Sequence, residues 1–398
     1  MDARFKNRVW RGGERAGKYA YRMSEIKLPV GAEMTELPAK IAKQLSIKLS
    51  DIMTWQVARE SIDARDKLNI FMVYTLDFTT NSQISSKTAK KHRCNVYKHI
   101  ERHAPISGNE CLTGRPVVIG FGPCGIFAAL ELSHNGYRPI VIERGKTMSA
   151  RVKDVENFRQ HGVLDGDSNI LFGEGGAGTF SDGKLTSGIK DPNIKFVLET
   201  FAGAGAGDEI VYKHKPHIGT DVLRAVIVSL REQILDLGGD VRFGTRLTGL
   251  EIADGELKGI TVMDSDGREE HIDTNAVILA TGHSARDTYE LIKESALEME
   301  QKPLSIGVRM EHSQELINRA QYGEEDRLPP AEYKVSYKAS NGRGVYSFCM
   351  CPGGEVVVCS TADGELCVNG MSNRRRDSGV ANSGILCDVR VSDFDSDD

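Results

Sequence analysis

The chain has 398 residues, 40% of them hydrophobic and 27% charged, with a formal net charge of -5. That length exceeds one ordinary core and, at roughly 150 residues per domain, calls for two or three domains with room for a buried cavity. A net negative balance gives no broad basic field for nucleic acid. No run approaches the roughly 18 consecutive apolar residues that span a bilayer, and no charged-then-apolar segment opens the chain as a secretion signal would. The expected partner is a small-molecule substrate, with no nucleic acid and no membrane, and the expected location is the cytoplasm. An organellar stroma is the alternative, because Met1 to Ala20 carries six Lys/Arg, although it holds no serine. The eight scattered cysteines read as free thiols, and the 41 glycines hint at nucleotide-binding turns.

After the basic lead, Ser24 to Val30 reads as a strand, Glu36 to Leu49 as a helix, and Asp51 to Ser61 and Leu68 to Phe78 as further strands. This makes residues 1–106 a small N-terminal α+β domain. The polar stretch Thr79 to Lys91 reads as an exit linker, and the boundary falls near Ser107. Residues 107–301 follow as an α/β, Rossmann-like domain that opens with strand, glycine turn, helix and strand from Arg115 to Gly145. Within it Leu223 to Leu237 has helical periodicity. Asp240 to Ile252 and Leu257 to Asp264 alternate like strands, and Ala276 to Ala280 reads as a short buried strand. Residues 302–391 read as a mostly β inserted substrate domain, and 392–398 as a frayed acidic tail.

The chemistry concentrates at Gly120, Gly122 and Gly125, which keep the GxGxxG spacing directly after the apolar strand from Pro116 and directly before an apolar helix. Gly120 permits a tight turn, Gly122 lets backbone approach a pyrophosphate, and Gly125 lets helix and strand pack closely, while the helix start offers unpaired N–H groups. The next strand ends in Glu143, 23 residues past Gly120, where a carboxylate can accept ribose hydroxyls and would repel a 2′-phosphate. These residues leave FAD and NAD both open. The strand Val277 to Gly282 ends in Thr281-Gly282, a crossing that brings small residues beside the first glycine turn and fits a flavin-type sheet. Between them, Gly173, Gly175, Gly176, Gly178 and Gly183 strip side chains from the loop Phe172 to Leu185, so main-chain N–H groups can face a broad planar ligand. Phe172, Phe180 and Leu185 mark that loop as packed.

With these residues in hand, the chain resembles the FAD-dependent dehydrogenase family of bacteria and plastid-bearing eukaryotes, within the two-dinucleotide-binding-domain flavoproteins. The match rests on Arg59 to Arg65, the glycine turn with Glu143-Arg144-Gly145, the glycine run 172–185, Phe348 to Gly354 and Asn369 to Ser372. More distantly it is similar to fumarate reductase and thioredoxin reductase flavoproteins. The resemblance implies FAD as cofactor, with NAD(P)H as a transient electron donor. Gly120, Gly122, Pro123 and Gly125 would hold the pyrophosphate, Glu143 the adenosine ribose, and Arg144 would lie along the adenine. Leu247 would meet adenine through its backbone. Gly175, Gly176, Ala177, Gly178 and Thr179 would border the flavin, Arg151 would reach the phosphates, and Thr281 and Gly282 would sit near the pyrophosphate. Family members continue beyond the Ala381 to Ser383 region and close the flavin with a returning strand, so a C-terminally truncated chain with weakened flavin binding is also an expectation.

Other residues have plainer readings. Cys349, Cys351, Cys359 and Cys367 cluster, but the two-residue step between Cys349 and Cys351 puts them on one strand face and does not match zinc spacing, so no metal is expected. His217, His283 and His312 have no partner visible in sequence and read as structural, which leaves the catalytic residues unknown. Arg374 to Arg376 reads as a solvated surface run. The leading reading is an FAD-dependent oxidoreductase of unknown substrate. Its competitors are an NAD-dependent dehydrogenase without flavin, and a flavin-incompetent binding or assembly module.

Overall fold

Short β-branched strands, glycine turns and amphipathic helices sort the chain into two compact units. The computed structural model describes residues 17–98, 102, 106 and 108–395. Residues 1–16 of the basic lead, Ser107 at the expected boundary, and 396–398 of the acidic tail lie outside the described residues.

The first unit takes Met1–Pro105, Lys184–His217 and Glu315–Ala331. Its elements are β1 (Tyr19–Pro29), α1 (Leu37–Leu45), β2 (Ile52–Asp63), β3 (Phe71–Thr80), α2 (Ser86–Lys91) and β4 (Cys94–Val96). The strands form an antiparallel sheet in the order β2-β3-β1-β4, and α1 buries Leu37 and Ile41 against Ile26, Leu76 and Phe78. The helix ends where Ser46 takes a left-handed φ of 56°. The stretch Thr79 to Lys91 departs from the expected linker. Ser85 Oγ accepts the Thr88 N–H at 3.2 Å and caps α2, and β4 then returns to pair with β1. Tyr212 to His214 also joins this unit, running parallel to β2, with Glu60 N–H donating to Tyr212 O and His214 N–H to Glu60 O, both at 2.8 Å.

The second unit takes Ile106–Gly183, Ile218–Gln314 and Glu332–Asp398. It begins with β5 (Val117–Ile119), α3 (Pro123–His134), β6 (Ile140–Ile142) and α4 (Met148–His161). After α5 (Asn193–Phe201), which lies in a segment of the first unit, come α6 (Thr220–Asp236), β7 (Asp240–Arg242), β8 (Thr245–Ala253), β9 (Glu256–Asp264), β10 (Glu269–Asp273), β11 (Val277–Leu279) and α7 (Arg286–Glu294). A parallel sheet in the order β11-β5-β6-β7 carries the doubly wound α/β core, as the strand and helix alternation predicts. The expected strand Asp240 to Ile252 is two strands in two sheets. Gly244, with φ +60°, breaks it, so β7 completes the parallel sheet and β8 opens the antiparallel β10-β9-β8 sheet. The expected burial of the strand around Ala276 also needs correction, because β11 is an edge strand and Ile278 and Leu279 are exposed.

Past Lys302 the unit is mostly β: β12 (Leu304–Ser313) and, after α8 (Gln314–Tyr322), which from Glu315 onward belongs to the first unit, β13 (Ser336–Lys338), β14 (Gly344–Cys351), β15 (Gly354–Val358), β16 (Val368–Ser372) and β17 (Val380–Val389). Four strands pair as β12-β17-β14-β13, and β15 and β16 form a hairpin. The start of the acidic tail is anchored, since Arg343 donates to both oxygens of Asp393 at 2.6 Å. No helix among the described residues is long and apolar enough to cross a membrane.

Candidate functional site

The three glycines after β5 serve different ends. Gly120 has φ +103°, and a Cβ there would collide with the Ala280 carbonyl on the strand crossing beside it; a Cβ on Gly125 would collide with the Gly120 carbonyl. Both are glycine because the turn cannot close otherwise. Gly122 is unlike them: its φ of -79° suits any residue, and an added Cβ would meet only Gly176 Cα, at 3.8 Å. It is the N-cap of α3, with Pro123 at the first helical position, so the first-turn N–H groups and the positive end of the helix dipole gather here.

Glu143 directly follows β6 and is only 5% exposed. Its Oε2 accepts the Phe121 N–H at 2.7 Å, and its Oε1 accepts the N–H groups of Gly145 and Gly173, each at 2.9 Å. One carboxylate thus ties the glycine turn to the start of the glycine-rich loop. A carboxylate has about four acceptor positions, which leaves one for a ligand hydroxyl. Gly145 and Gly173 meet backbone to backbone, where a Cβ on Gly145 would lie 2.5 Å from Gly173 Cα.

Beside Glu143 lies a narrow cleft of about 30 Å³. It brings together Gly120, Glu143, Arg144, Leu247 and Thr281 of the expected site, and adds Phe172 and Thr245. Arg144 Cζ sits 4.8 Å from the Phe172 ring centroid while its Nη2 donates to Asp287 at 2.5 and 2.7 Å, which fixes a flat cationic wall. Leu247 is buried, and the β8–β9 register slips between Leu247 and Gly249, the kind of irregularity that frees main-chain groups from the ladder. Gly282 turns with φ +73°, its carbonyl accepting from Tyr289 Oη at 2.6 Å.

Gly175 to Thr179 do not line that cleft. They form a 3-10 turn, Gly176–Phe180, seated on the start of α3, where a Cβ on Gly176 would lie 2.8 Å from Gly122 Cα and one on Gly178 would make ordinary contact with Pro123. Arg151 is where the expectation needs changing. Its side chain is fully buried beneath the loop, and its guanidinium donates to the carbonyls of Asn169 (2.8 Å), Ile170 (2.8 Å), Glu174 (2.6 Å) and Gly176 (2.9 Å). A group holding four carbonyls frames the loop and does not reach a phosphate. Burial pulls its pKa down to about 9, against the raising influence of the Glu143 and Glu174 charges. Glu174 is itself fully buried; its carboxylate accepts the Met148 N–H at 2.5 Å and Arg231 Nη1 at 3.0 Å. Burial nevertheless raises its pKa above the ordinary carboxylate value.

Two features here were not legible in the sequence. Asp182, at the end of the glycine run, forms a buried bidentate pair with Arg376, Nε to Oδ1 at 2.9 Å and Nη2 to Oδ2 at 2.5 Å, and Ser372 Oγ bonds the same carboxylate. The run Arg374 to Arg376 is therefore not simply a solvated surface, since its last member is a core ion. His312 Nε2 lies 2.8 Å from Tyr333 Oη, and His283 Nδ1 lies 2.8 Å from Ser284 Oγ; neither lines the cleft.

The cysteines also rearrange. A bulge between Phe348 and Cys351, with Cys349 at φ +47°, breaks the alternation that would set Cys349 and Cys351 on one face. Among the described residues no group of three or more His, Cys, Asp or Glu side chains is placed to hold a metal ion. Burial, with help from Cys367, pushes the Cys359 thiol up to about 12, and burial pushes Cys94 up to about 11. An acid with a raised folded-state pKa keeps its proton in the fold, so its stabilisation is whole below pH 9.0, the ordinary thiol value, and is lost as pH climbs toward 11 to 12. Maleimide labelling at pH 8 is therefore expected to modify exposed Cys111, Cys124 and Cys367 and spare Cys94 and Cys359 until denaturant is added; rapid native labelling of Cys359 would contradict this packing.

Strand, glycine turn, helix and acid-tipped second strand together make a doubly wound α/β fold of the Rossmann type. Residues 303–398 match the family described as "FAD-dependent protein, C-terminal domain-like", and residues 21–79 match a domain of unknown function. An uncharacterised protein of Clostridium beijerinckii is 42% identical over 380 residues, 94% of this chain and 70% of that protein. The chain belongs to this family of FAD-dependent proteins. Among solved structures, the glycerol-3-phosphate dehydrogenase of Bacillus halodurans complexed with FAD aligns at 12% identity over 72% of this chain and 49% of its own, with a TM-score of 0.37. A flavoprotein/dehydrogenase of Cytophaga hutchinsonii aligns at 12% identity over 70% of this chain and 56% of its own, with a TM-score of 0.34.

Proposed function

We propose that the second unit binds FAD along the β5–α3 turn and acts as an oxidoreductase on a small-molecule substrate, with a nicotinamide as transient electron donor. The observation that carries this reading is Gly122. The fold has room for a side chain there and no need of positive φ, so its lack of one is best explained by a ligand backbone lying close. In this reading the N–H groups of Gly122 and Gly125 and the α3 dipole face the pyrophosphate, with Pro123 fixing the helix start, while Gly120, whose N–H donates to Ile142 O at 2.7 Å, shapes the turn. Glu143 accepts from the ribose, Arg144 and Phe172 flank the adenine, the Leu247 main chain reads its edge, and Thr281 and Gly282 close the other side. The turn Gly175 to Thr179 borders the flavin, and Arg151 holds that turn in place. FAD, when bound, supplies the hydride-accepting chemistry.

Anaerobic addition of NADH or NADPH to the FAD-loaded protein tests the donor. Loss of the flavin's visible absorbance with one of them is expected. Full retention of that absorbance with both, while FAD stays bound, would remove the nicotinamide from the account.

A further inference from the structure

Phe180, in the glycine-rich loop, is only 1% exposed and has two guanidinium groups close to its ring: Arg151 Cζ lies 4.9 Å and Arg224 Cζ 4.8 Å from the ring centroid. The N–H groups of Arg151 are engaged by four carbonyls. Arg224, on α6, is differently placed. Its Nε is buried without a hydrogen-bond partner, and no ion pair with a carboxylate holds the group among the described residues. Glu156 and Asp221 act on it only through space, and burial lowers its pKa. A half-buried cation with unused donors is costly, and an anion that pairs with it relieves that cost.

Arg224 borders a small crevice of about 50 Å³ whose apolar walls are Val152, Val155, Ile170, Phe180, Val357 and Met371. The walls come from α4, the glycine-rich loop and the β15–β16 hairpin, and no residue is shared with the cleft at Glu143. Of the carboxylates about the crevice, Glu355 pairs with Arg159 at 3.2 Å and Asp221 accepts the Arg374 N–H at 2.9 Å. Glu156 is exposed at the rim and opposes an anion from there. The crevice thus joins one uncommitted guanidinium to an apolar wall.

We propose that this crevice binds a small carboxylate with a short apolar body, the carboxylate bridging Nε and one terminal nitrogen of Arg224 and the body against Val152, Ile170, Val357 and Met371. The planar fork of arginine suits a carboxylate better than a point charge does. Each methylene added between acetate and butyrate strengthens binding about fourfold while it still fits the apolar wall.

Sodium butyrate, butylamine and 1-butanol are titrated against the full chain at fixed ionic strength by calorimetry, with and without FAD. Saturable butyrate binding is expected, with no comparable signal from the amine or the alcohol. Arg224→Gln is expected to weaken butyrate at least tenfold, and Glu156→Gln to strengthen it a few-fold. Should Arg224→Gln fail to fold, Val152→Phe fills the crevice, keeps the cation, and is expected to abolish binding. Unsaturable butyrate, equal affinity in Arg224→Gln, or butanol binding as tightly as butyrate would overturn the proposal. So would a butyrate signal that vanishes once FAD is added, since that places the anion in the nucleotide cleft; failure of FAD to bind leaves the expected butyrate result unchanged.

Discussion

Arg376→Met is expected to destabilise the second unit by about 3–5 kcal/mol, among the largest effects of any single substitution in the chain. Asp182 is exposed by only 1%, and removing its bidentate partner leaves a carboxylate in the core with Ser372 Oγ as a neutral donor beside it. The cost is that of an uncompensated buried charge and not the net worth of the pair. The double variant Asp182→Leu with Arg376→Met is therefore expected to recover most of the loss, because replacing both ions by apolar groups is often close to neutral. Urea unfolding followed by a probe in the second unit checks both; a double variant no more stable than Arg376→Met would show that the pair's attraction, and not desolvation of the orphaned carboxylate, dominates. The pair fastens the end of the glycine-rich loop to the turn before β17, so the single variant is also expected to loosen that loop.

Arg151→Met should be nearly as damaging, by about 3 kcal/mol, since it takes the guanidinium from four carbonyls at once and leaves those of Asn169 and Ile170 buried without it, Glu174 O keeping only the Thr179 hydroxyl at 3.2 Å. The methionine fills the volume of the stem but donates nothing. The stem matters too: Gly173 has φ +113°, and a Cβ there would lie 2.5 Å from Arg151 Cδ, so loop and arginine are fitted to each other. Arg151→Lys is expected to rescue little, because an ammonium is a point donor and cannot span carbonyls from Asn169 to Gly176 as a fork does. Amide exchange at Gly173, Gly175 and Gly176 reports the outcome directly: faster exchange of these amides in Arg151→Met, with α6 protected as before, is expected. Unchanged protection of the loop would mean that Arg151 does not frame it.

The sequence carries the first half of the candidate site clearly because its constraints are local. The turn at Gly120, the N-cap at Gly122, the close packing at Gly125 and the acid at the tip of β6 are all fixed within one strand, helix and strand. What escapes sequence reading is set by distant partners. Asp182 and Arg376 are 194 positions apart, so nothing near Arg374 to Arg376 distinguishes a core ion from a solvated one. Arg151 is a phosphate ligand only by what the family resemblance implies; only the folded loop turns four carbonyls toward it. The same holds for the fold. Thr79 to Lys91 looks like a linker by its polar composition, yet the capping by Ser85 and the pairing of β4 with β1 draw it into the first unit. Gly244 divides one run of alternating residues between two sheets, a break that alternation alone cannot show because the period continues on either side.

The claim on which the rest depends is that a pyrophosphate lies against Gly122. Equilibrium dialysis of FAD against the native chain and against Gly122→Ala measures this, with thermal unfolding of both as the control. The Cβ fits the fold, so stability is expected to change by less than about 1 kcal/mol, while FAD affinity falls at least tenfold as the methyl meets the phosphates. Equal FAD retention by the two proteins, or none by the native chain, would contradict the account.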